Sequence, residues 1–136
     1  IEIGSETLTA SVLSLGNPHA VFQVNDVELA EVDRIGSSLQ SHGRFPKQVN
    51  AGFMQVLDRD SCRLRVFERG VGETLACGSG ACAALVAGIR LGKINSQAIC
   101  HLPGGKLTLS WQGHGHSVFK TGPAEFEIAA RPGLRS

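Results

Sequence analysis

One cysteine of this sequence stands in a setting that favours proton-transfer chemistry. Cys77 lies in the run ACGSGAC, residues 76–82, at the start of a predicted helix. The unpaired N–H groups and the positive dipole end of a helix N-terminus favour a thiolate, so the expected pKa of Cys77 lies below about 8.5. The backbone amides of Gly78 and Ser79 could also hold a carboxylate. The pattern predicts a thiol base and a carboxylate cradle at one place.

The competing interpretation of Cys77 is packing, because free cysteines are among the most buried residue types. Cys62, Cys82 and Cys100 have no comparable glycine setting, and we expect all three to fill the core. The spacing of the four cysteines matches neither a zinc motif nor a compact disulfide framework. A reducing cytoplasm is therefore the default expectation.

Two adjacent charged residues could bind a small ligand. Glu68 and Arg69 are predicted to end a strand just before the loop glycines Gly70 and Gly72. Arginine can grip a carboxylate through two hydrogen bonds, and glutamate can bind an ammonium group. The alternative is a solvated turn, in which such a charge pair contributes little.

Asn17 and His19 lie in the turn-forming run GNPH, residues 16–19. Asparagine both donates and accepts hydrogen bonds, and histidine titrates near neutral pH, which suits amino-acid recognition or proton transfer. Plain turn chemistry is the alternative. The other histidines show no metal-ligand spacing and nothing resembles a phosphate loop or dinucleotide fingerprint, so we expect neither a metal nor a nucleotide cofactor.

The hydrophobic pattern indicates strands that surround one buried helix. Residues 79–91 carry no charge before Arg90 and are followed by Gly92, which predicts a helix enclosed by protein on every side. A capping box at Asn25 and Glu28 predicts a second, amphipathic helix with Leu29, Val32, Ile35 and Leu39 on one face. Strands are predicted over residues 7–15, 20–24, 49–57, 62–68, 97–102 and 106–112, and near Val118 and Glu125. Asn50 opens one arm of a hairpin, and Glu68 closes the other.

Length and charge restrict the possible partners. The chain has 136 residues, 42% of them hydrophobic, with 13 Lys and Arg against 12 Asp and Glu, which is typical of one soluble domain. No clustered positive face is evident, so we expect neither a nucleic-acid nor a membrane partner. The longest uncharged apolar run, Ala81 to Ile89, is far shorter than the roughly 20 residues of a membrane span. The first residues lack a Met and signal-peptide features, which predicts an internal part of a longer protein.

Taken together, these motifs resemble the C-terminal half of diaminopimelate epimerase. The matching segments are GNPHAV (16–21), VNAGFMQV (49–56), ERGVGETLACGSGACA (68–83), LPGG (102–105) and TGPA (121–124). The resemblance implies an α+β fold, a mixed β-sheet curled into a barrel around a central buried helix. It also implies that residues 1–136 are a single domain, one half of a pseudo-symmetric enzyme whose N-terminal half is absent from this chain.

Enzymes of this family interconvert LL- and meso-diaminopimelate, in lysine and peptidoglycan-precursor biosynthesis, without pyridoxal phosphate, metal or any other cofactor. Two cysteines, one from each half, flank the substrate α-carbon. The resemblance implies that Cys77 is the acid/base of this half, that its partner cysteine belongs to the missing N-terminal half, and that the chain alone is inactive. The resemblance also implies that the full-length enzyme forms a homodimer.

The resemblance also assigns roles to individual residues. It implies that the non-reacting end of the substrate is held by Asn17, Asn50, Glu68 and Arg69. The amides of Gly78 and Ser79 would hold the reacting carboxylate. His19 would assist the missing cysteine, and Glu68 would assist Cys77.

Two alternatives remain open from the sequence. One is another cofactor-independent racemase on the same scaffold, similar to proline racemase, which shares the Cys-Gly-x-Gly turn. Arg69 argues against it, since proline has no second carboxylate to bind. The other is a noncatalytic module that captures small carboxylates at the helix N-terminus.

Overall fold

The computed structural model describes residues 1–121, 125–128 and 133–134. Most of these residues belong to short strands and two α-helices. In chain order the elements are β1 (Glu2–Ile3), β2 (Glu6–Thr7), β3 (Ser11–Ser14), β4 (Pro18–Gln23), a 3₁₀ turn (Val27–Leu29), α1 (Val32–Gln40), β5 (Asn50–Asp58), β6 (Ser61–Glu68), β7 (Gly72–Thr74), α2 (Gly78–Arg90), β8 (Gln97–Leu102), β9 (Gly105–Ser110), β10 (Val118–Thr121), β11 (Glu125–Ile128) and β12 (Gly133–Leu134).

A mixed sheet curls around α2. Among the described residues its order is β11-β10-β9-β8-β6-β5-β4-β3-β12, and β7 also pairs with β6. The pairs β4–β5 and β6–β8 are parallel, and the other pairs along this path are antiparallel. The helix contacts the strands of this path from β3 to β10, so the sheet wraps around it. This confirms the predicted α+β fold with a mixed sheet around a central buried helix.

The sequence of α2 explains how a helix fits inside the sheet. Every residue from Gly80 to Gly88 is buried, and most of them are alanine or glycine. A Cβ atom added to Gly80 would lie 3.0 Å from Val66, and one added to Gly88 would lie 2.5 Å from Ile94. Small residues are needed because protein approaches the helix from all sides.

Within the described ranges, no helix is long and apolar enough to cross a membrane.

The second helix begins later than predicted. Asp26, not Asn25, is the capping residue, and its Oδ1 accepts a hydrogen bond of 2.9 Å from the N–H of Glu28. This cap starts only the 3₁₀ turn, because the backbone becomes extended at Ala30 before α1 begins at Val32. Leu29, predicted for the buried face, is therefore 80% exposed.

Most of the predicted strands are present, and the first differs most from its prediction. β5 and β6 form the predicted hairpin, but of the strand predicted over residues 7–15 only Ser11–Ser14 form β3, and Thr7 is the last residue of β2. β4 begins at Pro18, so His19 is a strand residue rather than a loop residue. It pairs with Leu13 on one side and with Asn50 on the other. Strands are present near Val118 and Glu125 as predicted, whereas residues 122–124 of the TGPA segment lie outside the described residues.

The close packing at Gly88 leads to a stability prediction. We expect Gly88→Ala to lower the free energy of unfolding by about 1–2 kcal/mol, because overpacking against Ile94 outweighs the gain in helix propensity. Gly43→Ala is the matched control, since a Cβ there meets nothing within 4 Å. Urea unfolding of both variants is the measurement. A Gly88→Ala protein as stable as the wild type would show that the Ile94 side chain moves aside without a cost in stability.

Candidate active site

Cys77 lies at the N-terminus of α2 and caps the helix. Its backbone is extended (φ −142°, ψ 104°), and its Sγ accepts a hydrogen bond from the N–H of Gly80 at 3.3 Å. The Sγ atom also lies 3.7 Å from Oγ of Ser79. A short side chain in extended conformation before the first helical residue is the geometry of an N-cap. The helix N-terminus predicted at this cysteine is therefore present, and we name residues Cys77–Gly80 the cysteine turn.

The β8–β9 turn holds the segment that leads to Cys77. The N–H of Gly104 donates a hydrogen bond of 2.7 Å to the carbonyl oxygen of Leu75. A Cβ atom on Gly104 would lie 3.0 Å from that same oxygen, so only glycine allows this approach without a shift. Sequence reasoning missed this positioning role, although the LPGG segment at residues 102–105 was the available signal.

The pKa of the Cys77 thiol is raised, contrary to the prediction from the helix N-terminus. Burial is the largest cause, since only 5% of Cys77 is exposed. Hydrogen bonds from Ser79 and Gly80 oppose the effect of burial, and the nearby carboxylate of Glu68 adds to it. The sequence argument counted the helix end and omitted desolvation, which disfavours the charged form. Cys77 of this chain is therefore a thiol at neutral pH.

A second group of site residues, here named the polar cluster, consists of Asn17, His19, Asn50 and Arg69. Nε2 of His19 donates to Oδ1 of Asn17 at 3.1 Å, and Oδ1 of Asn50 accepts from the backbone N–H of Arg69 at 2.9 Å. His19 and Asn50 are register partners in the parallel pair β4–β5. The two are only 2% and 4% exposed, and buried polar side chains persist where such bonds satisfy them.

Burial makes His19 a neutral side chain. Its pKa is lowered to about 4, first by desolvation and then by the positive charge of Arg69. Both effects disfavour the imidazolium ion. His19 therefore enters any chemistry at neutral pH as an uncharged imidazole with one donor and one acceptor nitrogen.

The end of β6 joins the two groups of residues. Glu68, the last residue of β6, lies close to Cys77, and its carboxylate helps to raise the pKa of the Cys77 thiol. Arg69 lies on the side of the polar cluster, and its Nη1 donates to the carbonyl oxygen of Lys47 at 3.3 Å. Arg69 also lines a cavity of about 460 Å³ together with Gly16, Pro18 and residues 44–48. Neighbours at a strand end thus lie toward different groups of residues, as the alternation of side chains along a strand predicts.

The other cysteines are core residues, as predicted. Cys62, Cys82 and Cys100 are at most 2% exposed, and all four cysteines of the chain are free. Burial raises the pKa of Cys82 to about 12. Within the part of the chain that the structure describes, no group of three His, Cys, Asp or Glu side chains could hold a metal ion.

Comparison with known proteins identifies the family. The family model for diaminopimelate epimerase matches residues 11–127. The chain belongs to the diaminopimelate epimerase family. The diaminopimelate epimerase of Leptothrix cholodnii is 58% identical over 119 residues, which cover 88% of this chain and 40% of that protein.

Solved structures with low sequence identity share the fold. A protein described as a predicted epimerase of Pseudomonas aeruginosa has a TM-score of 0.56 and 21% identity, covering 84% of this chain and 42% of that one. A phenazine biosynthesis protein of the PhzF family from Enterococcus faecalis has a TM-score of 0.58 and 14% identity, covering 81% and 42%. The chain thus spans less than half the length of these relatives.

The surroundings of Cys77 predict the pH dependence of its alkylation. We expect Glu68→Gln to lower the apparent pKa for reaction with iodoacetamide, because it removes a negative charge, and Ser79→Ala to raise it, because it removes a donor. Rates across pH, with the modified residue assigned by mass spectrometry, test both shifts. Shifts in the opposite directions would contradict the described environment of the thiol.

The buried imidazole predicts an acid-sensitive fold. The pKa of His19 is about 4 in the folded chain and 6.5 as the ordinary value, so unfolding takes up a proton between these pH values. Stability is therefore retained above pH 6.5 and lost as the pH falls toward 4. Between about pH 7.5 and about pH 5 we expect the wild type to lose about 2 kcal/mol more than His19→Gln. Urea unfolding at the two pH values is the measurement, and parallel losses would contradict this account.

Proposed function

We propose that this chain supplies one half of an enzyme that interconverts LL- and meso-diaminopimelate by moving the α-proton between two cysteines. Family membership supports the reaction class. The observation that carries the proposal is that Glu68, Ser79 and Gly80 all interact with the Sγ atom of Cys77. This thiol lies beside the polar cluster. A single domain, residues 1–136, then corresponds to the C-terminal half.

The chemistry requires an acid and a base on opposite faces of one carbon. Removal of the α-proton leaves a carbanion whose charge spreads onto the adjacent carboxylate, and inversion follows when a proton arrives from the other face. Preorganised donors in a dry site stabilise such charge. The backbone amides of Gly78 and Ser79, at the N-terminus of α2, are suited to this role. No cofactor is part of the proposal.

The raised pKa of Cys77 favours the acid role in one direction of the reaction. A protonated Cys77 donates its proton to the carbanion after the partner cysteine, as thiolate, has removed the original one. In the reverse direction Cys77 is the base, and Glu68, which acts on the thiol, can receive or return its proton.

The polar cluster is proposed to bind the end of the substrate that does not react. Arg69 would grip the second carboxylate, with Asn17 and Asn50 as further hydrogen-bonding groups. Glu68 would bind the second ammonium group. The neutral imidazole of His19 would act as a weak base beside the cysteine from the other half.

The second cysteine is proposed to come from an N-terminal half, because Cys62, Cys82 and Cys100 are buried in the core. Val71 and Leu75 on the segment before Cys77 are 74% and 71% exposed, and a covering half would bury them. The isolated chain is accordingly proposed to be inactive. Its free thiols suit a reducing cytoplasm.

Reconstitution tests the function. This chain is mixed with a separately produced protein that comprises the part of the Leptothrix cholodnii relative not matched by it, and LL-diaminopimelate is followed by NMR in D₂O. We expect meso product and α-deuterium incorporation from the mixture, none from either piece alone, and loss of inversion in Cys77→Ser because serine is a poor proton donor and base here.

The contradictory outcomes are distinct. A mixture that assembles by sedimentation but leaves diaminopimelate unchanged while racemising proline would replace the substrate assignment. Full inversion by the Cys77→Ser mixture would remove Cys77 from the chemistry. Cys82→Ser is the matched control and should retain activity, since Cys82 is a core residue.

A further inference from the structure

Lys120, which no sequence motif singled out, reaches the cysteine turn from strand β10. It lies on β10, and its Nζ and Cε atoms are 2.3 Å and 3.5 Å from the position that a Cβ atom on Gly78 would occupy. The ammonium group therefore fills the space that a side chain at Gly78 would take. Gly78 is the residue after Cys77 and the first residue of α2.

The position of Lys120 on strand β10 directs its side chain toward α2. Val118 is fully buried and Phe119 is 51% exposed, so Lys120 shares the inner face of β10 with Val118. Its positive charge also partly offsets the effect of burial on the pKa of Cys82, which lies one helical turn beyond Gly78. The charge thus acts along the face of α2 that begins at the cysteine turn.

An ammonium group at this place concentrates positive potential. The N-terminus of α2 already carries the positive end of the helix dipole, and the added cation has the same sign. An anion bound at the amides of Gly78 and Ser79 would be attracted by both. On the proposed function, that anion is the carboxylate on the reacting carbon.

We propose that Lys120 is a further substrate-binding residue, whose ammonium group pairs with the carboxylate attached to the reacting α-carbon. This inference rests on the proposed function. Loss of the α-proton moves additional negative charge onto that carboxylate, so the ammonium group stabilises the carbanion more than the bound substrate. Lys120 is therefore expected to affect kcat as well as KM.

Alkylation of Cys77 tests the inference on the chain as it exists. Iodoacetate and iodoacetamide react at the same type of carbon, but only iodoacetate carries a carboxylate on it, as the substrate α-carbon does. We expect the ratio of the iodoacetate rate to the iodoacetamide rate to fall about three- to tenfold in Lys120→Met and Lys120→Gln. Lys120→Arg should keep most of the ratio, because it keeps the charge.

Lys106→Met is the matched control, since Lys106 is an exposed lysine on the neighbouring strand β9 and its loss should leave the ratio unchanged. Thermal unfolding identifies a variant that fails to fold. If Lys120→Met or Lys120→Gln fails to fold, the rate ratio of the other neutral variant tests the inference. An unchanged ratio in a folded neutral variant overturns the inference.

The reconstituted mixture separates this inference from the proposed function. If wild-type mixtures epimerise diaminopimelate and Lys120→Met leaves both kcat and KM unchanged, the lysine has no role in the reaction and the function stands. If wild-type mixtures assemble without any turnover, the proposed function fails whatever the alkylation ratios show. A raised KM and lowered kcat in Lys120→Met, partly restored in Lys120→Arg, support both.

Discussion

The rest of the site depends on the enclosure of α2 within the curled sheet. Enclosure forces α2 to consist of small apolar residues, with every residue from Gly80 to Gly88 buried. It also fixes the cysteine turn, since the N–H of Gly80 bonds to the Sγ atom of Cys77 and the β8–β9 turn holds the carbonyl of Leu75. A thiol placed in this way cannot move without disturbing the core.

The same enclosure sets the protonation states of the site. Burial raises the pKa of Cys77 and lowers that of His19, so both side chains are uncharged near neutral pH. Charged side chains lie around these neutral groups: Glu68 and Lys120 near the cysteine turn, and Arg69 on the side of the polar cluster. In the proposed mechanism Cys77 is the protonated acid, so the thiolate that removes the α-proton has to come from another part of the enzyme. This is the physical reason for a second half.

Much of this arrangement could be predicted from the sequence, and the exceptions have physical causes. The absence of charge from Ser79 to Ile89 was enough to predict a buried helix, and alternation was enough for the β5–β6 hairpin. His19 is predicted in a loop because the local turn residues dominate the pattern, whereas its strand also pairs with Asn50 of β5, which is distant in sequence. The pKa of Cys77 was predicted in the wrong direction because desolvation depends on the surrounding fold. Lys120 carried no local signal, since its position beside Gly78 depends on the path of β10 around the helix.

The central claim is that Cys77 serves one face of the substrate carbon and a second cysteine serves the other. The most direct measurement is α-proton exchange in D₂O by the reconstituted protein carrying Cys77→Ala, starting separately from LL- and meso-diaminopimelate. The account predicts exchange without inversion from only one of the two isomers, the one whose reacting proton faces the remaining cysteine. Equal exchange from both isomers, or continued inversion, would contradict it.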